Sequence, residues 1–500
     1  MKKAWSLSTT VRNPARILPF LTTLQEMEGE DFDDDGQVKF QTLLIKNKLY
    51  KPEGLSAELL SYYESDKDTM TYAQAESVFQ HMVSRSKELQ KSIGLRGRTS
   101  VAPLTKMGLA VAAKTDGPVV ITVLGKAFID GRIDVGEIYF RFFLKWQLPT
   151  PGSNDFSDED IYDIKPFIGT LQLIGKVNKL AEQNNLPVKG ISKAEFGLFA
   201  QTLVNHVDIE AYALEILKLR KLTQGVSKAE AKNIFQNFSK QFVSKFLQTT
   251  DSQKIDALIN TISDYADNTI RCFRLTRYVY IRGGGFYVDL EPRRSTEIEE
   301  LLKMPANSEH FGSEEEYTEY LIDASKPKLP WQTKDKLLKI VESIQTDINS
   351  FENILGVTES VPAEDITQKD EKSLSSMIEE ARSYRRKLQE QTNHVKSATI
   401  ESLEEYIEKL QNIYSLEDRP VQLEKYASLG LHALNDAITI SPNYPVGDDN
   451  EPTFTAPANV PDIECFYENA NSICEVTMLT SRDQWVNEGQ PVMRHLRDFE

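Results

Sequence analysis

The spacing of apolar positions changes several times along the chain, and each change marks a predicted element. Residues 1–83 keep mainly a three-to-four spacing, which predicts helices, broken by an acidic, glycine-containing loop at Glu28–Gly36. Residues 101–128 predict a helix, a two-stranded hairpin around Thr115–Pro118 and a further helix opening near Thr122. The same order returns over 264–303 as an arginine-bearing helix, strands Tyr278–Ile281 and Phe286–Leu290, and the turn Gly283-Gly284-Gly285. Three glycines permit positive φ and a tight reversal between strands. From Ala324 to Arg419 the pattern is helical and highly charged, with an acidic loop at Gly356–Asp370. VQLEKYASLGLHALNDAITI at 421–440 predicts one helix with an apolar face. Residues 460–495, VPDIECFYENANSICEVTMLTSRDQWVNEGQPVMRH, predict a strand (Asp462–Tyr467), a polar turn and a second strand (Ile473–Met478). A loop and a helix opening at Pro491 follow, proline being favoured at a first helical position.

Composition sets outer bounds. Five hundred residues at 40% apolar suffice for two or three domains with real cores. No run of eighteen apolar residues occurs, so no membrane span is expected, and MKKAWSLSTT lacks the apolar stretch of a secretory signal. Cys272, Cys465 and Cys474 are odd in number and show no CxxC spacing. They predict reduced thiols in a cytoplasm rather than a disulfide scaffold or a zinc site. DFDDDG at 31–36 resembles the start of a calcium loop, but no glutamate closes it, so calcium is not expected.

A net charge of −17 argues against nucleic acid only if charge is spread evenly, and it is not. Ser84–Lys114 holds seven cations against Glu88, and Ile216–Phe246 holds seven against Glu230, each a local +6. Arg271, Arg274, Arg277, Arg282, Arg293 and Arg294 then meet only Asp289 and Glu291. Phosphate contact depends on such local potential. The two helix–hairpin segments suggest winged-helix modules, which set a helix in the major groove and a hairpin against the backbone. Helix–hairpin units also serve protein-binding domains, and scattered lysines also suit solvated helix faces.

Candidate chemistry lies in the C-terminal hairpin. Asp462 heads its first strand and Glu475 lies in the returning one, so both carboxylates can enter one space. Oxygen-only ligation by one or two carboxylates suits Mg²⁺. Two solvated side chains are the alternative. Pro461-Asp462, followed thirteen residues on by Glu475-Val476-Thr477, matches the PD-(D/E)xK nuclease pattern, with Thr477 standing where that pattern has lysine.

Beyond the hairpin, VAPLTKMGLA (101–110), ITVLGKAF (121–128), FLKWQLP (143–149), TRYVYIRGGGFYVDLEP (276–292) and QPVMRH (490–495) stand in fixed order. With Trp5 and the Arg12-Asn13-Pro14 step, these blocks make the chain resemble the AlwI-like family of type IIS restriction and nicking endonucleases. The resemblance implies Mg²⁺-dependent hydrolysis of double-stranded DNA at a fixed offset from the bases read, leaving 5′-phosphate and 3′-hydroxyl ends. It implies catalytic roles for Asp462, Glu475, Glu488, His495 and Glu424, with Asp462, Glu475 and the Val476 carbonyl as metal ligands. It assigns sequence recognition to the N-terminal half, where Arg96, Arg98, Lys106, Arg274 and Arg277 are the candidates for DNA contact. Arginine can grip guanine edges or phosphate with two hydrogen bonds.

The resulting expectation is a multidomain α+β protein. Winged-helix-like recognition modules occupy 1–150 and 151–300, a helical linker 301–410, and a PD-(D/E)xK α/β nuclease core 411–500, shortened at its C-terminal end. A linker helix of about 25 residues spans roughly 37 Å, near one turn of DNA at roughly 34 Å. Cutting both strands calls for a second active site, from a transient homodimer or a small second nuclease subunit. The rival readings are a strand-specific nicking enzyme, the large subunit of a heterodimeric restriction enzyme, and a non-catalytic winged-helix DNA-binding protein with a nuclease remnant.

Overall fold

The computed structural model describes residues 2–496 except 8–12, 66, 113–116, 154–155, 283–286, 358–365, 398, 417, 435–436, 438, 448, 450, 458–459, 468–469, 481–483, 485–488, 490–491 and 494. Among the described residues the chain is rich in helix, with three small sheets, and it packs into two units. None of the described helices is long and apolar enough to cross a membrane.

One unit comprises Leu7–Ser157 with Glu309–Pro327. It holds α1 (Ile17–Gln25), α2 (Asp34–Lys46), α3 (Leu95–Lys106), the short strands β1 (Ala110–Val111) and β2 (Val120–Ile121), α4 (Val123–Ile129) and α5 (Val135–Lys145). The acidic loop expected at Glu28–Gly36 is loop as far as Asp33, and its last three residues open α2. The Asp33 carboxylate accepts the Gly36 N–H, and Asp34 and Asp35 fill the first turn, where negative charge suits the helix dipole. α3 crosses α2 closely, since a Cβ on Gly97 would stand 2.0 Å from the Gln37 carbonyl oxygen. The helix–hairpin–helix order expected over 101–128 is present, and Thr122 caps α4 by accepting the Gly125 N–H at 3.0 Å. Helix Glu314–Ile322 joins this unit from far along the chain. Its end is held by Lys145, a buried ammonium that donates to the carbonyls of Leu321 (2.9 Å) and Asp323 (2.7 Å). Burial lowers that ammonium to a pKa of about 8.

The other unit comprises Met1–Ser6, Asp158–Ser308 and Lys328–Glu500. α6 (Pro166–Gln183), β3 (Ile191–Ser192), α7 (Ser252–Leu275), β4 (Val279–Arg282), β5 (Tyr287–Leu290) and α8 (Ser295–Leu301) form its first part. Phe273 on α7 packs against Trp5, Phe167 and Phe196, and the Trp5 indole N–H donates to the Leu203 carbonyl at 3.0 Å. The expected β4–β5 hairpin gains β3 on its β5 side, and Gly283–Gly285 lie outside the described residues.

α9 (Lys334–Leu355) and α10 (Glu371–Ser397) pack along each other. Arg385 on α10 pairs with Asp347 on α9 at 3.2 Å, and Arg382 pairs with Glu297 of α8. This helical stretch is therefore built into the unit, with Leu374, Ile378 and Leu388 buried. α11 (Arg419–Leu434) then leads to a sheet of β6 (Thr439–Pro442), β7 (Ile463–Phe466) and β8 (Asn471–Cys474), ordered β6-β7-β8 and antiparallel throughout. The single helix expected over 421–440 thus stops at Leu434. β-Branched Thr439 and Ile440 pair with β7 instead, and Pro442 is tolerated because β6 is an edge strand. Ile440, Ile463 and Cys465 form a small core against Ala427 and Leu431 of α11. All three cysteines are free thiols.

Candidate active site

β7 is the middle strand, so its backbone is held from both sides. The ladder with β8 ends where Ile463 stands opposite Cys474, so Asp462 lies just before β7 and Glu475 just after β8, outside the strand (Ile473–Met478) expected to carry Glu475. Their side chains meet beyond that last pair. Asp462 Oδ2 accepts the Val476 N–H at 2.8 Å, and the Asp462 N–H points to Glu475 Oε2 at 3.4 Å. Each acid is thus tied to the backbone or side chain of the opposite arm of the hairpin.

Two further residues join them. His495 Nδ1 donates to Glu475 Oε1 at 2.5 Å, with only 9% of the histidine exposed. Glu424 on α11 is 5% exposed, and its Oε2 accepts the Ala456 N–H at 2.8 Å. Burial, reinforced by the negative charges of Asp462 and Glu475, pushes the Glu424 carboxyl up to about 8. Burial, and then the Glu475 charge, lift Asp462 to about 6 against the opposing bond from Val476. Burial and mutual repulsion disfavour the charged forms of these acids, a penalty that either a proton or a bound cation relieves.

The connection between β6 and β7 reaches the same acids from the other side. Asn443 continues the β6 ladder, its N–H donating to the Asp462 carbonyl at 3.0 Å and its Nδ2 to the Pro461 carbonyl at 2.9 Å. Further along, Lys425 pairs with Glu451 at 2.6 Å, and Gln389 of α10 donates to the Asp449 carbonyl at 2.9 Å. Asn443 and the Ala456 N–H were not found from the sequence. The signal that pointed to them is the β-branched, proline-ended run Thr439–Pro442, which marks an edge strand beside β7.

Of the expected site residues, Asp462, Glu475, Glu424 and His495 come together, and Val476 joins through its N–H. Glu488 and the Pro491 helix start lie outside the described residues. Thr477 has its hydroxyl turned to its own loop, accepting the Leu479 N–H at 3.1 Å.

The expected DNA-contact residues fall into two groups. Arg96, Arg98 and Lys106 lie on α3, and Arg274 and Arg277 lie at the end of α7. Arg98 is exposed, with its guanidinium held by Gln37 Oε1 (2.9 Å) and Ser92 Oγ (2.8 Å). Lys106 is exposed and Arg96 half-buried. Arg277 takes φ +67° where its N–H closes the α7 terminus, and Arg274 acts electrostatically on Asp449 of the β6–β7 connection. Several neighbouring cations are already paired: Arg271 with Asp267 (2.8 Å) and Asp418 (3.0 Å), Arg293 with Glu291 (3.1 Å), and Arg220 with Glu195 (2.8 Å).

A family model described as AlwI restriction endonuclease matches residues 105–500. The chain belongs to that family. The match takes in α3's last turn, the whole β6-β7-β8 sheet and every candidate catalytic residue. No curated protein matches the chain significantly. Membership of the AlwI family makes it a restriction endonuclease, a site-specific nuclease that binds DNA.

The family's chemistry implies a divalent metal, and the acids fit one. Their mutual charge and burial favour a cation between them, and Asp462 and Glu475 supply the hard oxygen donors it needs. Among the described residues no three His, Cys, Asp or Glu side chains form a ready-made metal cage.

Proposed function

We propose that this chain is a type IIS endonuclease, cutting double-stranded DNA with Mg²⁺ at a fixed offset from an asymmetric sequence. The observation that carries the reading is the convergence of Asp462, Glu475, Glu424 and His495 at one end of the β6-β7-β8 sheet. Asp462 and Glu475 hold the ion, with the Val476 carbonyl as a further donor. Bound there, Mg²⁺ supplies charge neutralisation at the scissile phosphate and a more acidic attacking water. The His495 N–H fixes Glu475 so that one oxygen is spent on the histidine and the other faces the site. Glu424 and Glu488 complete the acidic set.

In this reading 1–150 and 151–300 are winged-helix-like recognition modules, 301–410 the helical connection and 411–500 a PD-(D/E)xK nuclease domain. Arg96, Arg98, Lys106, Arg274 and Arg277 touch DNA, and the protein works in the cytoplasm. One Asp462–Glu475 pair cuts one strand per encounter. Double-strand cleavage therefore uses a transient homodimer or a second nuclease subunit, and nicking is the outcome without either. Run-off sequencing of both strands of cleaved DNA tests the proposal. A constant distance between a shared asymmetric sequence and the cut supports it, and cuts within the shared sequence contradict it.

A further inference from the structure

Asn443 directly follows β6, on the side of β7 away from β8, and holds the carbonyls of both Pro461 and Asp462. Its backbone N–H reaches the Asp462 carbonyl at 3.0 Å, a bond that any residue except proline can make. Its side-chain Nδ2 reaches the Pro461 carbonyl at 2.9 Å, and that bond needs a donor of this length. Together the two bonds tie down the carbonyls on either side of the Asp462 Cα, just ahead of β7.

The Asp462 carboxylate accepts the N–H of Val476, just past β8, and interacts with the Glu475 side chain, while its own N–H points to Glu475 Oε2. The segment that follows β8 thus holds the carboxylate from one side, and Asn443 holds the backbone carrying it from the other. We propose that Asn443 is a positioning residue for Asp462, aligning that carboxylate for metal binding and phosphodiester cleavage. This inference rests on the Mg²⁺-dependent nuclease reading above. Groups that orient a metal-holding carboxylate typically contribute about 10–100-fold to affinity or activity.

The amide makes the role separable from packing. Asn443→Asp keeps the shape but sets an acceptor against the Pro461 carbonyl and adds negative charge beside the acids. Asn443→Ala removes the donor and adds no repulsion. The experiment measures, for the full-length chain and both variants, cleavage of a plasmid carrying the mapped site, DNA affinity with Ca²⁺ in place of Mg²⁺, and Mn²⁺ binding by electron paramagnetic resonance without DNA. Melting temperature is followed in parallel. kcat is expected to fall about tenfold in Asn443→Ala and further in Asn443→Asp, and Mn²⁺ affinity to fall about tenfold in Asn443→Ala. DNA affinity is expected to stay within about twofold throughout.

Asn443→Asp matching the unsubstituted chain in kcat and Mn²⁺ affinity would overturn the inference, as would losses that follow melting temperature alone. Should Asn443→Asp fail to fold, Asn443→Ala decides by the same two readouts. If the unsubstituted chain itself neither cleaves nor binds Mn²⁺, the nuclease reading fails and takes this inference with it. Cleavage and Mn²⁺ binding that persist unchanged in both variants sink only the assignment of Asn443.

Discussion

His495 Nδ1 lies 2.5 Å from Glu475 Oε1, joining a side chain near the end of the chain to the acid that leaves β8. A carboxylate engaged at Oε1 by the histidine and approached at Oε2 by the Asp462 N–H has a fixed orientation. His495→Gln or His495→Ala should therefore lower kcat by about 10–100-fold while leaving DNA affinity unchanged. Single-turnover cleavage beside an electrophoretic binding assay in Ca²⁺ checks this. An equal loss of binding would reassign the histidine to DNA contact.

The raised carboxyls of Glu424 and Asp462 set a pH dependence. Both are acids whose folded-state values, about 8 and about 6, lie above their ordinary ones, so the folded protein holds these protons more tightly. Their contribution to stability is fully present below about pH 4 and is lost as pH rises through 6 and then 8. A bound cation needs the deprotonated forms and offsets that loss. Thermal melts should show a Mg²⁺-induced stabilisation that grows between pH 5.5 and 8.5, and Glu424→Gln should flatten the metal-free slope. A stabilisation independent of pH would contradict the arrangement.

Arg98 is exposed on α3, pre-positioned by Gln37 and Ser92. Arg98→Ala should weaken binding to the cognate duplex by about 1–3 kcal/mol if its fork reads a base, and relax specificity at one position. If it holds phosphate, affinity should fall equally on all sequences and the salt slope should drop by about one. Salt titrations on cognate and scrambled duplexes separate these outcomes. No change on either duplex would remove Arg98 from the interface.

Phe273 is fully buried between Trp5, Phe167 and Phe196. Truncation to alanine should cost about 3–5 kcal/mol through lost burial and a cavity. Urea denaturation followed by the Trp5 environment would register it. A cost below about 1 kcal/mol would mean that the aromatic cluster does not organise its unit.

The hairpin that brings Asp462 near Glu475 was legible in its alternating pattern, but its register was not: β8 runs Asn471–Cys474 rather than Ile473–Met478, so Glu475 lies just past the strand instead of within it. α11 with Glu424 was legible in its apolar face. β6 was hidden at the end of that helix, since an edge strand is fixed by its partner more than by its own pattern. β3 was missed for a similar reason: two residues carry no period. The arginine run 271–294 looked unopposed because charge was counted along the chain, whereas Asp418 reaches Arg271 from 147 residues away. The charged helices α9 and α10 suggested an arm, but Arg382 and Arg385 turn inward to Glu297 and Asp347. Burial of a paired arginine is a tertiary fact that charge content alone does not reveal.

The most direct test is incubation of the full-length chain with supercoiled plasmid, in Mg²⁺ or in EDTA, beside Asp462→Ala. Nicked or linear DNA should appear with Mg²⁺ only, and the substitution should slow its formation at least about a thousandfold. Cleavage by Asp462→Ala at the unsubstituted rate, or cleavage that survives EDTA, would contradict the carboxylate site at the end of β7.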